Sequence, residues 1–509
     1  MSTARTWAVA LTGVDGHLVE VEADMSNQTP EFRIIGLPDK SLGEAVQRVH
    51  NACKNAGLDL PRRRLTVNLS PASLPKHGAG FDLGVAVACL AAGGAVEPRS
   101  IARTVHIGEL GLDGRIRPVP GVLPAVFAAA RAGFETAIVP HGNEAEARLV
   151  PGIDVRAAGS LAEVAVWHGA DVEVPDVDFV EVASDTRSSS EALDLAEVIG
   201  QEEAVEALIV AAAGGHHMLL SGPPGAGKTM LARRLPGIMP ALDEEEALEV
   251  ASVRSLSGEP VSALDSLPPL EAPHHSASVA ALVGGGSRAA RPGAIARAHR
   301  GVLFLDEAAE FSRVALDALR QPLESGVIAV HRAGFTATFP AKFQLVLAMN
   351  PCPCGNHGVR GAECVCPPMA IRRYSTRLSG PLRDRIDIDL QVTRVAASRA
   401  TGDASAELTT ERARDRVADA RARAASRWRS TRWRRNADVP GTWLRQGALR
   451  LPASTRSPLD RALERGALTL RGYDRVLRVA WTMADLAALD MPGTDEIGRA
   501  LHLRRGLPR

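Results

Sequence analysis

Apolar and polar residues alternate along the first stretch of the chain. Over residues 1–25 the alternation has a period of two, which predicts β-strand with one buried face. Further strand-like and helix-like stretches follow it. The predicted strands are 64–69, 104–107 and 137–139, and the predicted helices are 42–56, 81–92 and 123–132. We therefore expect an α+β domain over residues 1–174.

The rest of the chain divides into three further segments. Residues 175–193 contain Pro175, acidic residues and serines at 188–190, which predicts a linker. Residues 194–395 alternate short strands and helices, as an α/β domain does. Residues 396–509 show almost no strand pattern and predict a helical domain. The pattern thus predicts a multidomain α/β protein.

The bulk composition is that of an ordinary globular protein. Of the 509 residues, 45% are hydrophobic and 23% are charged, and 59 basic residues balance 59 acidic ones. No global charge argues for a nucleic-acid partner, so any basic surface has to be local. No apolar run approaches membrane-spanning length, and the first residues do not resemble a secretion signal. We expect a cytoplasmic protein without membrane contact.

Residues 222–229 read Gly-Pro-Pro-Gly-Ala-Gly-Lys-Thr, which fits the phosphate-binding pattern Gly-x-x-x-x-Gly-Lys-[Ser/Thr] in full. An apolar strand precedes them and a helix follows, so backbone N–H groups and the helix N-terminus can face phosphates. Lys228 is expected to reach the β and γ phosphates of ATP, and Thr229 to bind Mg²⁺. The predicted nucleotide-binding positions are Gly222, Pro223, Pro224, Gly225, Ala226, Gly227, Lys228, Thr229 and Asp306.

Two more apolar strands end in polar residues. Residues 302–305 lead into Asp306 and Glu307. Asp306 is expected to hold Mg²⁺, and Glu307 to orient and deprotonate the attacking water. Residues 343–349 lead into Asn350, which fits a sensor that places this water near the γ-phosphate. The plainer interpretation of Asn350 is a turn residue at a strand end.

Four of the six cysteines lie together as two Cys-x-Cys pairs, separated by nine residues. Thiolates at this spacing can close around one tetrahedral Zn²⁺, although pairs in such sites are usually spaced further apart. The alternative is free thiols without a metal, and His357 is a fallback ligand. A metal here would brace the loop after Asn350 or present Arg360, Arg372 and Arg373 to a partner. The predicted metal ligands are Cys352, Cys354, Cys364 and Cys366.

Four stretches of the sequence resemble one family closely. Residues 272–278, 301–307, 349–355 and 378–387 are similar to the motifs of magnesium-chelatase-like AAA+ ATPases of the ComM/YifB type. The resemblance covers nearly the whole chain, and Arg383 departs from the family's usual apolar residue. It implies a hexameric ring that hydrolyses ATP and acts on DNA, with branch-migration helicase activity in recombination or natural transformation.

The resemblance also implies two arginine roles. Arg385 matches the arginine finger, which reaches the site of the next subunit and stabilises transition-state charge. Arg471 matches the second sensor, which reads the γ-phosphate from the helical lid of residues 396–509. Each could instead be an ordinary surface arginine.

Two insertions are expected in the AAA+ domain. Asp306 follows Lys228 by 78 positions (306 − 228), which is long for a plain P-loop module and resembles a helix-2 insertion. Residues 326–339 predict a hairpin with its turn at 333–334, before the first sensor. His331 and Arg332 near its tip could touch a phosphate backbone, and a solvated tip fits them equally well.

The first domain resembles the proteolytic domain of Lon. The similar residues are 75–78, 106–121 and 128–133. The catalytic serine position falls at Gly80 and the lysine position near Leu123, so a Ser–Lys pair is missing and peptide hydrolysis is not expected. Ser70, Ser73 and Lys76 are the nearby substitutes.

Two functions remain in competition. The first is a DNA motor, and the alternative is a protein-remodelling ATPase like the ATPase subunit of magnesium chelatase. An arginine-rich stretch favours DNA, because arginines neutralise phosphates and indoles can stack on bases; an exposed helix of an Arg-rich chain explains it equally well. Its residues are Arg412, Arg414, Arg416, Arg421, Arg423, Arg427, Trp428, Arg429, Arg432, Trp433, Arg434 and Arg435.

Overall fold

The computed structural model describes residues 2–36, 40–176, 193–286, 290–332, 335–359, 361–395 and 408–504. The predicted linker 175–193 lies almost entirely outside the described residues. The same holds for the hairpin turn at 333–334 and for Arg360.

A mixed seven-stranded sheet forms the N-terminal domain, together with a short two-stranded ribbon of β6 and β7. The strands are β1 (Ser2–Thr12), β2 (Asp15–Ser26), β3 (Glu31–Ile35), β4 (Arg64–Ser70), β5 (Thr104–His106), β6 (Glu109–Leu110), β7 (Ile116–Arg117), β8 (Thr136–Pro140) and β9 (Asp154–Ala158). The order in the sheet is β3-β4-β2-β1-β5-β8-β9. β1 and β2 are antiparallel, which explains the period-two pattern of residues 1–25.

Helices pack against this sheet. They are α1 (Lys40–Asn55), α2 (Asp82–Ala92), α3 (Pro98–Ile101), α4 (Val122–Arg131), α5 (Glu144–Ala147) and α6 (Leu161–Trp167). Every residue of α2 is buried, in agreement with its apolar sequence. The predicted strands and helices between residues 42 and 139 are present, with ends that differ by one or two positions.

The central domain is built on a parallel five-stranded sheet in the order β11-β14-β17-β10-β18. The strands of this domain, with two antiparallel ribbons, are β10 (Met218–Ser221), β11 (Leu270–Glu271), β12 (Gly284–Gly285), β13 (Arg291–Pro292), β14 (Val302–Leu305), β15 (Val327–Arg332), β16 (Phe335–Pro340), β17 (Gln344–Met349) and β18 (Ile388–Gln391). Alternate residues of β14 face different cores. Val302 and Phe304 pack with the C-terminal helices, whereas Leu303 and Leu305 pack with the ribbon of β15 and β16.

Helices cover both faces of the central sheet. They are α7 (Glu202–Gly214), α8 (Lys228–Ile238), α9 (Glu244–Ser257), α10 (Val279–Val283), α11 (Ala294–Arg297), α12 (Arg313–Ala318), α13 (Pro322–Ser325), α14 (Pro368–Ser375) and α15 (Gly380–Arg383). The predicted hairpin is present as β15 and β16, paired from Val327–Pro340 to Arg332–Phe335.

The C-terminal segment contains helices and no strand over residues 408–504. The helices are α16 (Thr410–Arg427), α17 (Gly441–Arg445), α18 (Ala453–Glu464), α19 (Leu470–Leu486) and α20 (Thr494–His502). α16 lies against α7 and α19, so this segment shares one apolar core with the central domain. Within the described part of the chain, no helix is both long and apolar enough to cross a bilayer.

The N-terminal domain contacts the central domain at two glycines. Gly13, in the turn between β1 and β2, lies so close to β16 that a Cβ atom would be 1.8 Å from the carbonyl oxygen of Thr338. The N–H of Gly121 donates to the carbonyl of Ser255 in α9 at 3.1 Å. The first domain therefore rests on both the hairpin and α9 of the second.

Candidate nucleotide site and cysteine cluster

The phosphate-binding loop has the strand–loop–helix context that its sequence predicts. β10 ends at Ser221 and α8 begins at Lys228. Gly222 is required at its position, because a Cβ there would be 2.1 Å from the carbonyl oxygen of Val392. Gly227 has φ +84°, a conformation that favours glycine. The loop can therefore turn its backbone N–H groups toward an anion at the start of α8.

The Lys228 ammonium lies under this loop. Its Nζ donates to the carbonyl oxygens of Gly222 at 2.6 Å and Pro223 at 2.9 Å, and to Oδ1 of Asn350 at 3.1 Å. Burial lowers the pKa of Lys228, while Asp306 and Glu307 act in the opposite direction. Lys228 and Asn350, which are far apart in sequence, thus meet in the structure.

The two carboxylates at the end of β14 have different partners. Oγ1 of Thr229 donates to Oδ2 of Asp306 at 2.6 Å, so the two predicted magnesium ligands are adjacent. Hydroxyl and carboxylate oxygens are the donors that Mg²⁺ prefers, and the pair fits this ion. Glu307 has φ +49°, and its carboxylate lies next to His275.

His275 was not assigned a role by sequence reasoning. Its Nδ1 lies 3.0 Å from Oε2 of Glu307, and the His275 and Glu307 side chains are partly exposed. The residue belongs to the stretch 272–278, which the family resemblance contains without giving it chemistry. Its place in the loop after β11, next to β14 in the sheet, is the signal that could have identified it.

Gln201 is a second residue without an assigned role. Its Nε2 donates to the carbonyl oxygens of Thr393 at 2.6 Å and Ala226 at 3.3 Å. The side chain therefore joins the phosphate-binding loop to the segment after β18. It lies directly before α7.

The two predicted arginines lie elsewhere. Neither is among the described residues that line the cleft of Lys228 and Asp306; both line a second cleft. Arg385 forms an ion pair with Glu324 and donates to the carbonyl of Pro381 at 2.6 Å. Arg471, at the start of α19, is exposed. The structure thus brings the two arginines to one cleft, away from the nucleotide-binding residues of the same chain.

The arginine-rich stretch is only partly turned inward, so its interpretation as a DNA surface stays a prediction. Arg412, Arg414, Arg423 and Arg434 are exposed. Arg416 pairs with Glu206 at 2.8 Å, and the pair of Arg427 with Asp485 is partly buried. Arg421 donates to the carbonyl of Ala212. Other members that bond to this chain are Arg414, Arg423, Arg434 and Arg435.

The base-stacking role expected of Trp428 is wrong for this conformation. The side chain is 1% exposed, and its Nε1 donates to Oδ1 of Asn436 at 3.0 Å. Trp433 is half-buried and packs edge-on against Trp428 and Trp443. Periodicity alone did not show that this face of the helix is part of the core. Arg429 and Arg432 remain exposed.

The four clustered cysteines converge. Their Sγ atoms all lie within 4.8 Å of one another, so the group could hold a metal ion; the fallback ligand His357 is not part of it. The N–H of His357 instead donates to Sγ of Cys352 at 3.3 Å. A hydrogen bond from the backbone of Asn356 is the main cause that lowers the pKa of Cys354 to about 6, which favours its thiolate.

The N-terminal domain shows no Ser–Lys pair at the positions expected from Lon. A Cβ on Gly80 would meet nothing within 4 Å, and Leu123 is completely buried in α4. Lys76 is buried, and its Nζ donates to the carbonyl oxygens of Gly36, at 2.9 Å, and Pro71. These partners are carbonyl oxygens and not nucleophiles, so these contacts of Lys76 do not activate a serine.

Three family models match the sequence. The model described as magnesium chelatase, subunit ChlI, matches residues 194–400. The model described as subunit ChlI of Mg-chelatase matches 21–143, and the ChlI C-terminal model matches 407–504.

Several relatives are similar over almost their whole length. The uncharacterized protein Rv2897c of Mycobacterium tuberculosis is 48% identical, with 99% of each chain covered. Competence protein ComM of Haemophilus influenzae is 40% identical, with 96% of this chain and 94% of the relative covered. The uncharacterized protein YifB of Escherichia coli is 38% identical, with 99% and 97% covered. Lon protease of Mycolicibacterium smegmatis is 29% identical over 172 residues, which cover 31% of this chain and 21% of Lon.

Proposed function

The chain belongs to the magnesium-chelatase-like AAA+ family of ComM and YifB, and we propose that it is an ATP-hydrolysing ring motor that acts on DNA. The proposed activity is branch migration of DNA in recombination or natural transformation, in the cytoplasm. The observation that carries the ATPase part is the meeting of Lys228, Thr229, Asp306, Glu307 and Asn350 around one cleft.

Each of these side chains has a role that its position supports. Lys228 can exchange its carbonyl partners for phosphate oxygens, because its ammonium is confined beneath the loop. Mg²⁺ would neutralise phosphate charge, held by Thr229 and Asp306. Glu307 takes the proton of the attacking water, and Asn350, already within bonding distance of Lys228, orients that water.

We propose that Arg385 and Arg471 complete the site of a neighbouring subunit. Both line a cleft separate from the one that contains Lys228, so neither supports hydrolysis within the same chain. An arginine that enters a neighbour's site needs a ring or another closed assembly. A homohexamer is the proposed assembly, and in it Arg385 leaves its pair with Glu324 to reach the adjacent phosphates.

The DNA part rests on different support. One relative is named a competence protein, and its similarity extends over nearly the whole chain. Arg372 and Arg373, in α14 just after the cysteine cluster, are exposed, and no carboxylate of the described residues is paired with them. His331 near the hairpin tip is exposed as well. These groups join exposed arginines of the arginine-rich stretch, such as Arg429 and Arg432, as the proposed phosphate contacts.

The second candidate is a protein-remodelling ATPase. It is favoured by the match of three magnesium chelatase models. Zn²⁺ is the proposed metal of the cysteine cluster under either function, because reduced thiols persist in the cytoplasm.

Steady-state ATPase rates with and without DNA separate the two candidates. We expect single-stranded, duplex or forked DNA to raise the rate, and the Arg372→Ala, Arg373→Ala double variant to lose much of this stimulation. Glu307→Gln is the control for contaminating ATPases. A rate that no DNA changes, in a preparation that hydrolyses ATP, contradicts the motor and leaves the remodelling ATPase.

A further inference from the structure

The spacing of the clustered thiols matches a tetrahedral metal site. Four sulfurs bonded to one Zn²⁺ at about 2.3 Å lie about 3.8 Å apart. The Sγ of Cys364 is 3.8 Å from that of Cys352 and 3.7 Å from that of Cys354, and the Cys352–Cys354 distance is 3.4 Å. A disulfide would bring two sulfurs to about 2.05 Å. The cluster therefore has the dimensions of a metal cage and not of a disulfide pair.

Backbone N–H groups donate to the sulfurs of Cys352 and Cys354. The N–H of His357 donates to Sγ of Cys352, and a backbone hydrogen bond from Asn356 reaches Cys354. Such N–H donors stabilise negative charge on sulfur. Four thiolates this close repel one another unless a cation lies between them. Cys352 is completely buried, which increases the need for that cation.

The cluster also contacts the nucleotide site. Cys352 follows Asn350 by one intervening residue, and Asn350 bonds to Lys228. On the other side, Gly355 lies against the phosphate-binding loop: a Cβ on Gly355 would be 2.4 Å from Cδ of Pro224. Gly355 itself has φ +81° and is held in a turn by the N–H bond from Gly355 to the carbonyl of Cys352. The metal loop thus contacts Pro224, a predicted nucleotide-binding position, and directly follows the predicted sensor Asn350 in the chain.

We propose that Cys352, Cys354, Cys364 and Cys366 bind one Zn²⁺, and that the metal-bound loop holds Pro224 and Asn350 in the positions that nucleotide binding requires. This inference rests on the proposed ATP-binding function of the adjacent loop. Loss of the metal releases the turn at Gly355, so the support beneath Pro224 is lost. Metal and nucleotide are then coupled ligands, and each raises the affinity of the other by the same factor.

Two measurements on the full-length chain test the two parts of the proposal separately. Elemental analysis tests the binding of Zn²⁺, and nucleotide titration tests its effect on nucleotide affinity. We expect about one Zn²⁺ per chain, bound without added metal. Cys364→Ser should lose the metal and weaken binding of a fluorescent ATP analogue by about tenfold, a typical size for coupling between sites. Cys53→Ala, a change at a buried cysteine of the N-terminal domain, is the control and should keep both.

A pair of glycine variants tests the contact without removing a thiol. Gly355→Ala and Gly358→Ala place the same methyl group at similar positive φ, +81° and +73°. Only Gly355→Ala would press on Pro224, because a Cβ on Gly358 meets nothing within 4 Å. We expect both variants to keep Zn²⁺, and only Gly355→Ala to weaken nucleotide binding by about tenfold.

The coupling can also be measured in the opposite direction in the unaltered chain. Saturating ATP analogue should raise the Zn²⁺ affinity, measured by competition with a chromophoric chelator, by the factor found in the titration. A folded chain without Zn²⁺ overturns the metal site. Zn²⁺ with equal nucleotide affinity in both glycine variants overturns the coupling. A chain that holds Zn²⁺ but binds no nucleotide contradicts the proposed function and leaves the metal site in place.

Discussion

Replacement of Arg385 by alanine gives a sharp test of the proposed ring. The side chain is paired with Glu324 and lies in a cleft that does not contain Lys228. Arg385→Ala should therefore leave ATP binding to the same chain nearly unchanged. Turnover should fall by about 10³–10⁵, because an arginine finger stabilises charge that develops only in the transition state.

Mixing two inactive variants should restore part of the ATPase rate, and the restored fraction can be calculated. An active site needs one chain with Lys228 and a neighbour with Arg385. In equal mixtures of Arg385→Ala and Lys228→Ala chains, half of the chains keep Lys228, and half of their neighbours supply Arg385. Roughly one quarter of the sites is then complete, whatever the number of subunits in a closed ring. The rate should peak at equal mixing near one quarter of the unaltered rate.

The assay is the steady-state ATPase rate over a series of mixing ratios, after dissociation and reassembly. Arg383→Ala is the matched control, since Arg383 lies two positions away and pairs with Asp389 of its own chain at 3.4 Å. This variant should keep most of its turnover without any partner. If differently tagged chains co-purify and the mixture stays as inactive as its components, Arg385 does not act between subunits.

Three further predictions follow from individual contacts. Lys228→Ala should weaken ATP binding, whereas Glu307→Gln should bind ATP without hydrolysing it, since an amide cannot take the proton of water; turnover of the Gln variant at the parent rate contradicts the role of Glu307. His275→Ala should raise the ATPase rate by up to about fivefold, because it frees the Glu307 carboxylate from a contact worth up to about 1 kcal/mol; an unchanged rate rejects this restraint. Gly13→Ala should lower the melting temperature more than Gly133→Ala does, because both have positive φ but only a Cβ on Gly13 meets another chain segment; equal melting temperatures contradict the contact.

The side chains of the proposed nucleotide site converge on one cleft, and the sequence could indicate this because its signals are local. Glycines at 222, 225 and 227 determine a loop between a strand and a helix, and the polar residues after two parallel strands meet at one edge of the sheet. The convergence of the two Cys-x-Cys pairs followed from spacing in the same way.

What sequence reasoning missed depends on tertiary packing. The period of α16 shows that one face is apolar, but it does not show that Arg421 bonds to Ala212 of α7 or that Trp428, just after α16, is buried. The common cleft of Arg385 and Arg471, the pair of His275 with Glu307, and the contact of Gly355 with Pro224 each join segments that lie far apart in the chain. No local pattern contains that information.

The contact between Gly13 and the hairpin has a consequence for protein engineering. It joins a residue without a side chain to the main-chain oxygen of Thr338, whose own side chain is exposed. Complementarity at this contact depends on backbone shape. The outward-facing side chains of the hairpin can therefore change without altering the contact with the N-terminal domain. A hairpin of equal length from a related protein should therefore pack against the unaltered N-terminal domain, so the ribbon of β15 and β16 can be exchanged as a unit.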